Sequence, residues 1–232
     1  MRISLHTSGL AVAVALVMTA AQVSSGAQAP PQPQGRAGGA RATAPPPDPT
    51  RPVKLEVTEG STARYKVREQ LAGISFPSDA VGTTQSVTGT IIINPDGSID
   101  AKQSKLTVDL RTIKSDQQMR DGYVQNQTLE TAKFPMIEFV PTRAEGLPTP
   151  LPAAMQAQAG FKLIGDMTLH GVTKEVTWTV IATFGADQVG GRATTTLAFA
   201  DFKITKPSLA RLMSVDDKIE LEIEFRCRRT AL

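Results

Sequence analysis

The chain has 232 residues, 41 % of them hydrophobic and 20 % charged, with 25 Lys and Arg against 22 Asp and Glu and a formal net charge of +3. Arg2, Arg36, Arg41 and Arg51 against Asp48 place all of that excess in the first 53 residues. The remainder is formally neutral and lacks the broad positive patch that neutralises nucleic-acid phosphates, its one basic cluster being Arg226, Arg228 and Arg229.

Residues 1–27 read as a signal peptide. Arg2 and His6 form the n-region, Leu10–Val23 is a 14-residue apolar stretch, and Ser25, Gly26 and Ala27 suit a cleavage site. The apolar run is shorter than the roughly 20 residues of a spanning helix, so the mature chain is expected to carry no transmembrane segment. Residues 28–57 form a Pro-rich linker. Half of the sixteen prolines fall between Ala29 and Pro52, with no large apolar residue among them. Such a stretch cannot offset the entropy of ordering and is expected as a disordered, PPII-like tether. Residues 58–232 are then one folded domain.

Within that domain, alternation of apolar and polar residues dominates. Thr62–Glu69 is expected as a first strand, resumed briefly at Ile74–Phe76. Ser86–Leu110 reads as two strands around the turn Asn94, Pro95, Asp96 and Gly97, where proline presets one dihedral and glycine permits positive φ. Ser115–Pro135 breaks the pattern and predicts one or two short helices, with Ser115 or Asp116 as cap and Pro135 as stop. Met136–Glu145 is a fourth strand, followed by a Pro-rich surface loop at Leu147–Gln156. Phe161–Phe184 is a hairpin in which Phe161, Leu163, Met167 and Leu169 share one face and Val176, Trp178, Val180, Ala182 and Phe184 another. Arg192–Lys203 is a seventh strand. Asp217–Arg228 is the last, with Ile219, Leu221, Ile223, Phe225 and Cys227 opposite Glu220, Glu222 and Glu224. Eight long strands in sequential order favour an up-and-down barrel or a sandwich. A parallel α/β sheet would need a helix after nearly every strand.

The residues that carry chemistry are few. One cysteine and two histidines, of which His6 lies in the signal, exclude an intrachain disulfide and any histidine- or cysteine-rich zinc site. No GxxxxGK[ST] or GxGxxG pattern occurs. His170 sits at the hairpin corner in the polar row and is expected to face outward without a catalytic role. Cys227 lies in the apolar row and is expected as a core residue. Glu220, Glu222 and Glu224 read as a solvated face. Asp116, Arg120 and Asp121 form the most notable polar cluster, either capping and ion pairing around the helical insert or gating a cavity mouth. No catalytic residue, metal ligand or obligate cofactor is expected.

Several segments resemble the YceI family in the same order. They are Ser86–Gly89, Leu106–Leu110, Met119–Asp121, Leu129–Pro135 followed by Ile137–Phe139, and Gly165–Lys174. The chain departs from the family pattern at Arg68, Leu71 and Ala72, and keeps only part of a later element as Phe199–Lys203. The resemblance implies an all-β fold, an eight-stranded antiparallel lipocalin-like barrel with a short helical insert. It also implies export to the periplasm and an apolar interior that takes a polyisoprenoid or similar long amphiphile, a quinone included. On that basis Leu106, Val108, Ile137, Phe139, Phe161, Leu163, Val176, Trp178, Val180, Leu221, Ile223 and Phe225 are the expected cavity lining, and Phe76, Met119, Tyr123 and Phe134 the expected mouth. A filled barrel acting as a structural or stress-response module, and an enzyme acting on an apolar substrate, are the alternatives. A homodimer and an extracellular location stay open.

Overall fold

The structure, a computed structural model, describes residues 48–152 and 157–232. The expected signal peptide and most of the linker lie outside the described residues.

Ten strand segments form eight staves of a closed antiparallel barrel. β1 (Val53–Val57) and β2 (Thr62–Leu71) follow one another along the same side of the last strand. β3 (Ser78–Thr84) pairs with β2, and β4 (Val87–Ile93) pairs with β1, so these four segments are one long hairpin interrupted near its middle. β5 (Lys105–Asp109), β6 (Met136–Glu145), β7 (Ala157–Leu169), β8 (Val172–Phe184), β9 (Gln188–Ala198) and β10 (Leu212–Ala231) then pair each with its predecessor. The ring closes because β10 is long enough to hold β9 on one side and both β1 and β2 on the other. Closure removes the free edges that make open sheets prone to association. The barrel begins at Val53, ahead of the boundary expected at residue 58. The alternation in Val53, Leu55 and Val57 is short, and the neighbouring prolines masked it.

Side-chain parity explains the packing. Along β8, Val176, Trp178, Val180, Ala182 and Phe184 are buried while the residues between them are exposed. The corner between β7 and β8 is a two-residue turn, His170 (φ 52°) and Gly171 (φ 73°), between the paired Leu169 and Val172. Positive φ at both positions matches the right-handed twist of the two strands. The outer face of β10 carries the expected acidic row. Glu220 meets Lys66 at 2.6 Å, and Glu222 meets Arg64 at 3.1 Å and Arg192 at 3.4 Å. Solvent-facing pairs of this kind each contribute about 0–1 kcal/mol.

The segment between β5 and β6 is the helical insert. It comprises a 3-10 turn at Leu110–Thr112, the six-residue helix α1 (Gln118–Tyr123) and a π turn at Val124–Thr128. It starts by extending the sheet, since Thr83 and Lys114 exchange backbone hydrogen bonds of 2.8 and 2.9 Å along β3. It ends where the Leu110 N–H donates to the Pro135 carbonyl at 2.9 Å. The insert is thereby tied at both ends to one rim of the barrel.

Candidate functional site

A cavity of about 220 Å³ runs inside the barrel, walled almost entirely by aliphatic and aromatic side chains. Leu106 and Val108 of β5, Ile137 and Phe139 of β6, Phe161 and Leu163 of β7, Trp178 and Val180 of β8, and Leu221, Ile223 and Phe225 of β10 all line it. Val176 does not: it is buried in the surrounding core. The Trp178 ring meets Phe139 edge-on, with centroids 6.2 Å apart. Sequence reasoning missed much of the wall built by the first hairpin, including Leu55, Val57, Ile91, Ile93, Tyr65 and Val67, and also Ala193 and Leu197 of β9. Period two was present in Ala63, Tyr65 and Val67, whereas the unbroken run Ile91–Ile93 hides its parity.

The mouth is built differently from expectation. Phe76 and Met119 are 79 % and 90 % exposed, and neither they nor Tyr123 and Phe134 touch the cavity. The insert instead covers that end with Leu110, Ile113, Val124, Thr128 and Leu129. Six residues of helix complete fewer than two turns, so the apolar face passes to the π turn that follows. Tyr123 serves the surface, its hydroxyl accepting from the Ser208 N–H at 3.4 Å.

The polar cluster ties down the loop and pairs ions around the insert, and none of its three side chains lines the cavity. The Asp121 carboxylate accepts from the Ser115 N–H and hydroxyl, each at 2.7 Å, which closes the loop leading into α1. Neither Ser115 nor Asp116 caps the helix: Gln117 holds that position without a side-chain bond. Arg120 donates to Asp116 at 2.5 Å and to Glu69 at 2.9 Å. Glu69 belongs to the same side of β2 as Tyr65 and Val67, so this pair clamps the insert to the inner rim.

His170 is not the outward bystander expected from its row. Its Nε2 lies 2.8 Å from Glu130 Oε2, and its ring packs on Phe134 at 4.6 Å between centroids. The turn's positive φ swings the side chain off the strand's polar face and onto the insert. It lines no part of the cavity. Cys227 is buried on the cavity wall, where burial pushes its thiol pKa up to about 12. The thiol is therefore protonated and inert at neutral pH. Among the described residues, no three His, Cys, Asp or Glu side chains converge as a metal site.

Near the end of β10, Arg229 is buried without lining the cavity. The alternation of β10 turns it inward next after Cys227, and it is 7 % exposed. Its Nη1 donates to the carbonyls of Pro152 (2.5 Å) and Gly185 (3.1 Å), while its Nε has no partner. No carboxylate pairs with it among the described residues, and burial lowers its pKa.

A barrel with an apolar hollow covered at one rim is a common architecture, so likeness to known proteins narrows the choice. The YceI-like domain family matches residues 50–227, which include every strand of the barrel except the last four residues of β10. The chain belongs to the YceI family. A UPF0312 protein of Pseudomonas putida (strain W619) is 33 % identical over 129 residues, a stretch covering 50 % of this chain and 62 % of that protein. The chain thus spans less than two thirds of the length of that relative. A UPF0312 protein of Vibrio vulnificus (strain YJ016) is 27 % identical over 174 residues, 71 % of this chain and 83 % of its own. Among solved structures, a polyisoprenoid binding domain from Saccharophagus degradans superposes with a TM-score of 0.58 at 13 % identity, covering 77 % of this chain and 98 % of that one. BcnA of Burkholderia cenocepacia gives 0.52 at 14 %, covering 72 % and 95 %. At such identities these two structures show that the YceI barrel is shared. Among the described residues, no helix is long and apolar enough to cross a membrane.

Proposed function

We propose that this YceI-family barrel is a carrier that holds a polyisoprenoid or similar long-chain amphiphilic lipid, a quinone included, in its interior. The observation that carries the conclusion is the apolar cavity, lined from every stave and covered by the insert. Each buried methylene of a guest contributes about 0.8 kcal/mol, so a chain binds such a wall without directional contacts. The Saccharophagus degradans domain of the same fold, described as polyisoprenoid binding, agrees with this. Binding alone is proposed, with no bond-making step. The ionisable residues on the cavity wall are Arg64 and Glu222, paired at 3.1 Å, and Tyr65 and Cys227, which burial keeps protonated. The signal-like sequence of residues 1–27 supports a carrier that acts in the periplasm after cleavage, as one copy or a homodimer.

One observation favours a second function. A cavity of about 220 Å³ is smaller than the about 300–1,000 Å³ usual for ligand pockets. A structural module whose interior is mostly side chain would look similar. Mass spectrometry of an organic extract of the natively purified protein separates the two. A co-purifying prenyl lipid is expected, and repeated lipid-free extracts would overturn the carrier.

A further inference from the structure

Arg229 is a buried cation that the chain itself does not neutralise. Its Nη1 donates to two carbonyls, those of Pro152 and Gly185, which satisfy its hydrogens without supplying a negative charge. Asp187 accepts from the Arg229 N–H through its backbone carbonyl at 2.7 Å, and its carboxylate makes no pair with the guanidinium. Residues 1–47 and 153–156 contain no Asp or Glu, so the rest of the chain holds no counter-charge in reserve. Buried charges are ordinarily paired, because taking an ion out of water is costly. Burial lowers the pKa of Arg229, as it does for a cation with no anion beside it.

Arg229 lines a second hollow, separate from the barrel cavity. This crevice of about 290 Å³ lies between the loop that follows β4, the loop that follows β6 and residues 48–53. Only Ile93 is common to its wall and that of the barrel cavity. Of the guanidinium nitrogens, Nε is sealed and Nη1 is used, which leaves Nη2 for a guest. No described residue hydrogen-bonds Nη2, and it is not among the sealed atoms. Arg51 also lines the crevice and is exposed. The one acidic residue of the lining, Asp48, accepts from the Thr50 N–H at 2.9 Å and from the Thr50 hydroxyl at 2.7 Å. Two guanidiniums against one carboxylate leave the crevice positive.

The wall specifies the kind of anion. Pro49, Pro95, Pro148, Pro150 and Pro152 all line it. Proline has no N–H, so these residues present ring carbons and no backbone donors. Phosphate cradles use several converging N–H groups, and few of them are available here. A carboxylate carrying a short apolar body suits a charged donor at one end and proline rings along the rest. We propose that this crevice is a binding site for a short aliphatic carboxylate, its charge met by Arg229, its approach favoured by Arg51 and its chain laid against the prolines. The site stands apart from the carrier function and does not depend on it.

The test titrates the full-length mature protein with hexanoate, hexanamide and inorganic phosphate by calorimetry at neutral pH and fixed ionic strength. Hexanoate is expected to fill a single site about tenfold more tightly than hexanamide, which keeps the shape and loses the charge. Phosphate binds more weakly than hexanoate. Arg229→Met abolishes hexanoate's advantage over the amide. Arg51→Gln reduces it several-fold and, being on an exposed residue, carries the comparison if Arg229→Met does not fold. Emission of Trp178, the one tryptophan of the chain, stays unchanged on adding hexanoate, because its ring lines the barrel cavity and not the crevice. Equal affinity for acid and amide, or an advantage that survives Arg229→Met, overturns the site. A change in Trp178 emission that tracks hexanoate binding overturns it too, since the acid is then inside the barrel. Tighter binding of phosphate overturns the choice of a carboxylate. None of these outcomes bears on the prenyl lipid sought in organic extracts, so failure here and failure of the carrier are read separately.

Discussion

Ala193→Phe distinguishes a hollow barrel from a solid one. Ala193 lies on the cavity wall, paired with Val180 on one side and Ile223 on the other, both of which also face the cavity. A cavity that accepts a benzene ring has a volume of about 150 Å³, and the hollow here is about 220 Å³. Filling void is worth about 24 cal/mol per Å³, so a phenyl ring seated there gains up to about 3–4 kcal/mol. Rotamer and wall adjustments take back about 1 kcal/mol. The variant is therefore expected to be as stable as the parent or up to about 3 kcal/mol more stable. The same ring displaces roughly four methylenes of a guest at about 0.8 kcal/mol each, which weakens binding by about two orders of magnitude. Urea unfolding and titration of a C20 prenyl alcohol through Trp178 emission measure both quantities. In a filled barrel the substitution instead overpacks the core and costs about 1–3 kcal/mol. Destabilisation of that size with unchanged alcohol binding would refute the hollow.

Other parts of the barrel make independent predictions. Gly191→Ala would put a Cβ 2.2 Å from the Ile181 carbonyl oxygen and 2.9 Å from the Ala182 Cα, so the backbone itself must shift. A loss of about 1–3 kcal/mol is expected in urea unfolding, against a change within about 0.5 kcal/mol for Gly160→Ala, whose nearest neighbour lies 3.9 Å away. Arg229→Met keeps the buried bulk and removes a charge with no acidic partner among the described residues. It should be neutral or stabilising by about 1 kcal/mol, whereas Arg229→Ala leaves that buried space empty and should cost about 2 kcal/mol or more in the same assay. At high pH, burial matters through Tyr65 and Cys227, raised from 10.0 and 9.0 to about 12. The fold keeps protons that the unfolded chain releases, so their contribution is complete below about pH 9 and is lost as pH rises toward 12. Melting temperature should fall across that window, at roughly 1.4 kcal/mol per pH unit for each group, and less steeply in Tyr65→Phe. A flat profile would contradict the burial of both groups. Iodoacetamide should leave Cys227 unmodified at pH 8 until denaturant is added.

Period two along each strand determined the class of fold, the number of staves and the inward row of β10. Those properties are local, because a side chain's face follows from its parity once the strand exists. Tertiary structure decided what parity cannot express. Ring closure depends on β10 pairing with three strands at once, two of which are consecutive segments of one interrupted stave. The cover over the mouth depends on which turn of the insert docks, and Val124, Thr128 and Leu129 face inward there while Met119 faces solvent. His170 departs from its expected orientation for the same reason: a positive-φ turn reaims it onto Glu130. Long-range docking sets the energy of a polar side chain through its partners, and partners distant in sequence leave no periodic trace.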